Sequence, residues 1–310
     1  MTTDKGNRRD VLQRLAWLSI VTAVVTIALK AGAAWLTGSV GLLSDALESM
    51  VNLVAAIVAL VALRAAARPP DSEHHFGRGK AEYLSAAIEG GMIFVAAAAI
   101  VYTAVRRLIV PEPVEQVGIG LAVTTLAAVI NLVVGLVLVR AGSRHRSITL
   151  EADGKHLLTD VWTSVGVIIG VALVAITGWQ PLDPLVALAV GVNILVTGWR
   201  LIRRSGAGLL DVSLPADDQE AIGGVIATYE KQGIEFHAVR SRESGRHRFV
   251  YMHVLVPGEW SVVQGHDLCE RVERDIALAL PGTTTFTHLE PQGDPSSYAD
   301  QQLGDARFRS

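Results

Sequence analysis

Long apolar runs fill the first two thirds of this 310-residue chain and restrict what it can fold into. A helix crosses a lipid bilayer with about 20 consecutive, mostly apolar residues. Half of the residues are hydrophobic and only 18% are charged, which indicates a membrane protein rather than a soluble one. Six stretches are long enough, and we predict spans at 14–36, 39–64, 83–108, 117–140, 150–177 and 182–202.

The charges of the loops predict how the chain is oriented in the bilayer. Loops rich in Lys and Arg stay on the cytoplasmic side. The basic parts of this chain are 1–13, 64–80, 140–150 and the Arg203–Arg204 pair, whereas 37–40, 109–116 and 178–181 contain neither Lys nor Arg. We predict a multi-pass protein of the cell (inner) membrane with both termini in the cytoplasm, although Arg106 and Arg107 oppose this orientation.

Beyond the sixth span the long apolar runs end, and polar and apolar residues alternate. We predict a cytoplasmic segment at 1–13, a six-span membrane domain at 14–207 and a cytoplasmic domain at 208–292. In the last of these, two helical patterns and three alternating, strand-like segments follow one another in the order αββαβ. This order is typical of a small ferredoxin-like α+β domain. The remaining polar residues, 293–310, are predicted to be disordered.

Two pairs of polar residues lie inside predicted spans, where ionisable groups are costly and usually functional. SDALESMVN of the second span contains Glu48 and Asn52, and ADGKHLLTD of the fifth contains His156 and Asp160. Each pair is spaced i, i+4 and therefore shares a helix face. One imidazole nitrogen and three oxygen donors are enough for a four-coordinate divalent first-row metal. The alternative for either pair is an interhelical hydrogen bond.

Other polar residues in the spans have open roles. Asp45 is three residues before Glu48 and is either a further ligand or a residue nearer the outer opening. Glu89 is either a proton relay or a partner of Lys30, and Asn131 is interpreted as a helix-packing amide. The single cysteine excludes a cysteine-rich zinc site, so any metal must be held by His, Asp, Glu or Asn.

The loop between the second and third spans, RPPDSEHHFGRGKAEYL, is a further candidate metal site. It places Asp71, Glu73, His74 and His75 within five residues. Carboxylates and imidazoles so close together can form a small surface site. A solvated polar loop is the alternative.

Several of these segments together resemble one family, the cation diffusion facilitators, which are metal–proton antiporters. The resemblance rests on TGSVGLLSDALES, HHFGRGKAE, ADGKHLLTDVWTS and LLDVSLP and on the histidine-bearing αββαβ tail, and it runs from about residue 10 to 292. It implies a homodimer in which each chain has six spans and a cytoplasmic ferredoxin-like domain. It also implies a transport site with two ligands from the second span and two from the fifth.

The resemblance assigns the transport ligands to Glu48, Asn52, His156 and Asp160. The fifth-span pair has the common His-x-x-x-Asp form, but the family usually has Asp or His followed by Asp in the second span. An amide oxygen is a weaker, uncharged donor, which favours iron, manganese or cobalt over the tightest zinc binding. His156 keeps Zn²⁺ as the first expectation, with Fe²⁺, Mn²⁺, Co²⁺ and Cd²⁺ as alternatives.

In the family's loop site, Asp71 and His74 match, but the second histidine position is held by Arg78. A cation cannot ligate a metal. The resemblance therefore implies a weakened or absent loop site, unless His75 or Glu73 substitutes.

The resemblance also implies two features of the cytoplasmic region. Lys80 and Asp211 match the positions of an intersubunit salt bridge. Four histidines and a glutamate match the positions of the family's cytoplasmic binuclear metal site, with the glutamate in place of the usual aspartate. These residues are His237, His253, His266, His288 and Glu290.

The function that follows is proton-coupled efflux of a divalent transition-metal cation from the cytoplasm by alternating access in a homodimer. The partners are the lipid bilayer, a second copy of the chain and protons, with no nucleic acid. The alternative is a membrane-anchored metal sensor that does not transport. An enzyme is not expected, because neither Gly-x-Ser-x-Gly nor His-Glu-x-x-His occurs in the sequence.

Overall fold

The chain divides into two compact units, Met1–Ala207 and Gly208–Ser310. The computed structural model describes residues 2–37, 40–110 and 119–299. Within these ranges, the side chains at 2–10, 37, 40–45, 47, 48, 51, 119–121, 167, 171 and 175 lie outside the described set.

The first unit is helical, as the sequence predicted. Among the described residues, five helices are long and apolar enough to cross a membrane, and the second helix adds a shorter apolar part, Asn52–Ala66. The first helix begins at Thr2, so residues 2–13, predicted as a cytoplasmic N-terminal segment, are helical and continuous with the first span. The cytoplasmic location of that segment stays a prediction. The helices are α1 (Thr2–Thr37), α2 (Val40–Ala66), α3 (Ala81–Ile109), α4 (Ile119–His145), α5 (Ile148–Thr177) and α6 (Leu182–Leu209).

Local contacts fix α5, the helix that carries the ADGKHLLTD motif. Its N-cap is Ser147, whose hydroxyl accepts from the Leu150 N–H and lies 2.5 Å from the buried Glu82 of α3. Gly154 then faces Gly135 of α4, because a Cβ added to Gly154 would lie 2.8 Å from the Gly135 carbonyl oxygen. Any larger residue would push the two backbones apart. The glycines therefore hold α4 and α5 close together.

The second unit has the predicted αββαβ order. Antiparallel β1 and β2 are joined by a turn at Gly245, and β3 pairs parallel with β2, so the sheet order is β1-β2-β3. Helix residues such as Ile222, Val272 and Ile276 are fully buried with Val250 and Val254 of β2 in one core. The elements are α7 (Ala216–Glu230), β1 (Glu235–Ser244), β2 (His247–Val256), α8 (Val262–Ala279) and β3 (Thr283–Pro291).

The prediction that the whole of 293–310 is disordered is wrong for its first part. Pro295–Tyr298 forms a 3-10 helix. Asp294 caps it by accepting from the Ser296 N–H, and buried Ser297 donates to the Pro291 carbonyl at 3.0 Å. These local hydrogen bonds, available to Asp and Ser in a polar segment, tie it back to the end of β3. Residues 300–310 lie outside the described range.

Candidate metal sites

Three of the four predicted transport ligands have described side chains, and these three meet inside the helical unit. Asn52 of α2 lies between two residues of α5: its Oδ1 is 2.5 Å from His156 Nε2, and its Nδ2 donates to Asp160 Oδ2 at 2.5 Å. Asn52 and His156 are each 6% exposed. The i, i+4 spacing on α5 therefore does bring an imidazole and a carboxylate to one point, with an amide from another helix between them.

Glu48 and Asp45 were also predicted from the second span. Their backbone belongs to α2, and Glu48 is one helical turn before Asn52. Their side chains lie outside the described residues, so their part in the site stays a prediction.

Asn131 of α4 is a residue of this site that the sequence analysis missed. It was interpreted as a packing amide, but its Nδ2 donates to Asp160 Oδ2 at 3.2 Å. Two amides thus converge on one carboxylate oxygen and orient it. The signal available in the sequence was a polar side chain within an otherwise apolar span, which does not reveal its partner.

The cluster borders a cavity of about 450 Å³. On one side are Asn52, His156 and Asp160, together with Thr159 and Thr163 of α5. The opposite wall is α3, which contributes apolar side chains and one glycine, including Ile88, Gly91, Met92, Ile93, Val95, Ala96 and Ile100. A small cation in this cavity would therefore have polar ligands on one wall only.

In the loop between α2 and α3, the predicted ligand Asp71 forms an ion pair with Arg78. Asp71 Oδ2 is 2.6 Å from Arg78 Nη1, and His74 Nδ1 is 3.4 Å from the other Asp71 oxygen. The hydrogen bond from Arg78 lowers the pKa of the exposed Asp71 carboxyl to about 2. His75 points to the backbone carbonyl of Ser72. Among the described residues, the predicted loop ligands form no three-ligand group.

The sheet of the second unit aligns three of the predicted histidines. His237 of β1 is opposite His253 of β2, which in turn is opposite His288 of β3. A bulge at Ala238 and Val239 is what brings His237 into this row, since an unbroken β1 would place Ala238 opposite His253. Bulges re-aim side chains in this way at functional sites.

Glu290, two residues after His288, completes a group of three donors. Its Oε2 is 2.9 Å from His237 Nε2 and 3.2 Å from His253 Nδ1, and the two ring nitrogens are 3.0 Å apart. Ligands about 2.0–2.1 Å from a tetrahedral zinc ion are separated by roughly 3.3 Å. The triangle formed by these atoms is close to that size, and its two imidazoles and one carboxylate are common zinc donors. The residues therefore fit a divalent metal.

The other two predicted ligands of this site are less closely placed. His288 Nε2 lies 3.6 Å from the second Glu290 oxygen, and its side chain is 68% exposed. His266 is on α8 and is exposed. Among the described His, Cys, Asp and Glu residues, only His237, His253 and Glu290 form a compact three-ligand group. A second ion held by His266 and His288 stays a prediction.

Tyr298 of the 3-10 helix is a neighbour of this group that the sequence analysis missed, because its segment was predicted to be disordered. Its ring meets the His237 ring edge-on with centroids 5.8 Å apart. Its hydroxyl donates to Glu235 Oε2 at 3.2 Å. The segment after β3 therefore limits how the His237 ring can rotate.

Lys80 and Asp211 belong to different compact units. Within the second unit, Asp211 Oδ1 accepts from Arg242 Nη1 at 3.1 Å. Burial acts to lower the pKa of Arg242, but its hydrogen bonds to Tyr251 and Asp211 outweigh this and raise the pKa. The intersubunit pairing of Lys80 with Asp211 stays a prediction.

The first unit has apolar helices and a buried cluster of residues of the kinds that bind metals, and the second unit has a row of histidines. These features indicate a class of protein, the multi-pass membrane proteins that handle cations. Comparison with known families agrees. Residues 16–210 match the family model of the cation efflux transmembrane domain, and 214–292 match that of the cation efflux protein cytoplasmic domain. The chain belongs to the cation diffusion facilitator family of metal-cation efflux transporters.

Individual relatives match along most of their length. An uncharacterized transporter of Synechocystis is 53% identical over 283 residues, which are 91% of each chain. The cation-efflux pump FieF of Cronobacter sakazakii is 32% identical over 282 residues, 91% of this chain and 93% of the relative. A solved structure of CzrB in its Zn form covers 26% of this chain and 93% of its own, at 31% identity, and its TM-score of 0.23 is too low to define a fold.

Proposed function

We propose that the protein is a homodimeric antiporter that exports a divalent transition-metal cation from the cytoplasm in exchange for protons. Zinc is the first expected substrate, and iron, manganese, cobalt and cadmium are the alternatives. The observation that carries the proposal is the meeting of Asn52, His156 and Asp160 beside a cavity inside the helical unit. A sensor would need no such cluster among its spans.

The chemistry of the donors suits metal–proton exchange. With Glu48 as the fourth ligand, an ionised pair of acids would offset the two charges of the ion, while Asn52 and a neutral His156 add none. Imidazole and carboxylate ligands must be deprotonated to bind a metal, so protons and metal compete for them. A high proton concentration on the outer side therefore favours release of the ion there.

The position of the site supports alternating access. The cluster joins α2 to α5, and the cavity wall opposite is α3. Secondary transporters bind their substrate between helices that move relative to one another, so that one site opens to each side in turn. Movement of α2 and α3 relative to α5 would open and close this cavity.

The group of His237, His253 and Glu290 supports a second role for metal, in regulation. It lies in the cytoplasmic domain, where it would be exposed to the ion before export. Metal bound there would favour one arrangement of the two subunits' domains and so shift the transporter toward an active state. The homodimer and the cytoplasmic orientation of both termini come from the family resemblance and from the loop charges.

The proposal is tested with the full-length protein in proteoliposomes that contain a metal-sensitive dye. We expect Zn²⁺ to accumulate against its gradient when the interior is made acidic, and to equilibrate slowly when both sides have the same pH. Dissipating the pH gradient with a protonophore should stop the accumulation. Binding of Zn²⁺ to the cytoplasmic domain without any flux would support the sensor instead.

Asn52 is expected to set the choice of ion. Asn52→Asp places a second carboxylate 2.5 Å from Asp160, in the position now held by the amide nitrogen. The added charge strengthens zinc binding, and we expect the ratio of Zn²⁺ to Mn²⁺ transport to rise about 10-fold. A competition panel of Zn²⁺, Fe²⁺, Mn²⁺, Co²⁺, Ni²⁺ and Cd²⁺ on wild type and variant measures this ratio. Unchanged selectivity would mean that the amide does not select the metal.

A further inference from the structure

A second pair of acidic side chains lies inside the helical unit, separate from the metal-site cluster. Glu89 of α3 is fully buried, and neither of its carboxyl oxygens makes a hydrogen bond of normal geometry with a described residue. Asp153 of α5 is 1% exposed: its Oδ1 accepts from Ser19 Oγ of α1 at 3.0 Å, and its Oδ2 has no hydrogen-bond partner among the described residues. Three of the four oxygens are thus buried without a hydrogen-bond donor of normal geometry among the described residues.

The neighbouring helices supply few groups that would stabilise a charge on the buried Glu89 carboxyl. The groups that act on its carboxyl are Asp153, through its charge, and the Ser85 hydroxyl one turn earlier on α3. α6 packs against Gly90 through the Ile202 side chain and the Gly198 carbonyl, and both approach within 3.3 Å of a Cβ added to Gly90. α6 therefore packs against α3 next to Glu89, and none of the described groups that act on the Glu89 carboxyl is a cation.

Lys30 was the cation that the sequence offered as a partner for Glu89. Its ammonium instead donates to Ser49 of α2 at 2.9 Å, and Glu89 accepts no hydrogen bond from it. Of the two roles that the sequence left open for Glu89, pairing with Lys30 is thereby excluded. Glu48 of α2 lies outside the described side chains.

Two neighbouring carboxyl groups in such a place cannot both carry charge at low cost, because each is desolvated and repels the other. A proton on one of them removes the charge and supplies the missing hydrogen-bond donor. Ca²⁺ and Mg²⁺ are less suitable, since these hard cations take six or more oxygen ligands, and a zinc ion would find no imidazole or thiolate donor among the described side chains of this pair. The described side chains here supply two carboxyls and the hydroxyls of Ser19 and Ser85.

The pair is also well placed to sense the metal site. Asp153 is three residues before His156, on the same side of α5. Glu89 stands between Ile88 and Gly91, which line the wall of α3 that faces the metal ligands across the cavity. A relative movement of α3 and α5 would therefore change the cavity and the separation of the two carboxyls together.

We propose that Glu89 and Asp153 form a proton-binding site that carries a proton of the transport cycle without touching the metal. The inference rests on the proposed metal–proton antiport. In the outward-open state a proton from outside forms an O–H bond with one carboxylate of the pair. In the inward-open state that bond breaks, and the proton leaves to the cytoplasm.

The test separates net transport from metal exchange in proteoliposomes of the full-length protein, with Zn²⁺ as the probe. Net accumulation driven by a pH gradient requires proton movement, whereas exchange of labelled for unlabelled Zn²⁺ at equal pH does not. We expect Glu89→Gln, and likewise Asp153→Asn, to lower the ratio of net transport to exchange about 10-fold or more. Glu89→Asp, which keeps the carboxyl, should restore much of that ratio.

Glu82→Gln is the matched control, because Glu82 is a buried glutamate of the same helix whose carboxylate is satisfied by Ser147. Its ratio should equal that of wild type. An unchanged ratio in Glu89→Gln, or loss of both modes in Glu89→Gln and Asp153→Asn alike, would overturn the inference in favour of a structural role. Failure of wild type to couple zinc to the pH gradient would instead refute the antiport itself.

Discussion

Replacing Asp160 by alanine is expected to reduce metal transport by at least about 100-fold. The change removes the charge from the described part of the proposed transport site. It also leaves the amide nitrogens of Asn52 and Asn131 without the carboxylate oxygen to which both donate. His156→Ala should act similarly, because it removes the nitrogen ligand. The measurement is Zn²⁺ flux into proteoliposomes at matched protein density.

Two further variants sharpen this prediction. Asp183→Ala is the control, since Asp183 is a carboxylate of α6 that pairs with Arg107 at 3.5 Å, away from the cluster, and its transport should match wild type. Asn131→Leu should lower transport only about 10-fold, as expected for a residue that orients a ligand rather than binding metal. If Asp160→Ala and His156→Ala transport as well as wild type, the assignment of the site is wrong.

The second large effect is expected in the cytoplasmic domain. Glu290→Ala removes the carboxylate that lies within 3.2 Å of both His237 and His253, and we expect the affinity of this group for Zn²⁺ to fall at least about 100-fold. Titration calorimetry of the full-length protein in detergent should show the loss of a tightly bound ion per chain. Because protons compete for imidazole, wild-type affinity at this site should also fall as the pH is lowered.

The control for this experiment is Glu273→Ala. Glu273 of α8 accepts a hydrogen bond from Thr287, the residue before His288, and takes no part in the three-ligand group. Its zinc affinity should equal that of wild type. Equal affinity in Glu290→Ala would show that the histidines alone bind the ion and that Glu290 is not a ligand.

Much of the fold could be predicted because its signals are local. The helices of the first unit follow from runs of apolar residues, and the αββαβ order follows from a change between helical and alternating patterns. The first span was predicted from residue 14, whereas the helix that contains it begins at Thr2. The polar residues before Val11 lack the apolar signal by which a span is recognised, yet they continue the same helix. The 3-10 helix after β3 was missed for a related reason: its hydrogen bonds are made by Asp and Ser, which also occur in disordered segments.

Helical spacing also predicted the two pairs of ligands, one pair from each helix, of the candidate transport site. An i, i+4 pair shares a face whatever else the chain does, so His156 and Asp160 were identifiable as a unit. The contact between that unit and Asn52 was only an inference from the need for four ligands. The sequence contained no signal for Asn131 as a partner of Asp160. An asparagine within a span can either pack between helices or orient a ligand, and the residue type alone does not distinguish these roles.

The sequence by itself determined the membrane spans, the domain that follows them and the face on which each polar pair lies, because these depend on composition and on the periods of helix and strand. Only the tertiary structure decided which faces meet. The glycine contact between α4 and α5 fixes their close packing, the bulge in β1 shifts His237 by one residue to face His253, and the packing of α3 leaves Glu89 buried without the lysine that the sequence offered it. Each depends on contacts between residues far apart in the chain, which no local pattern encodes.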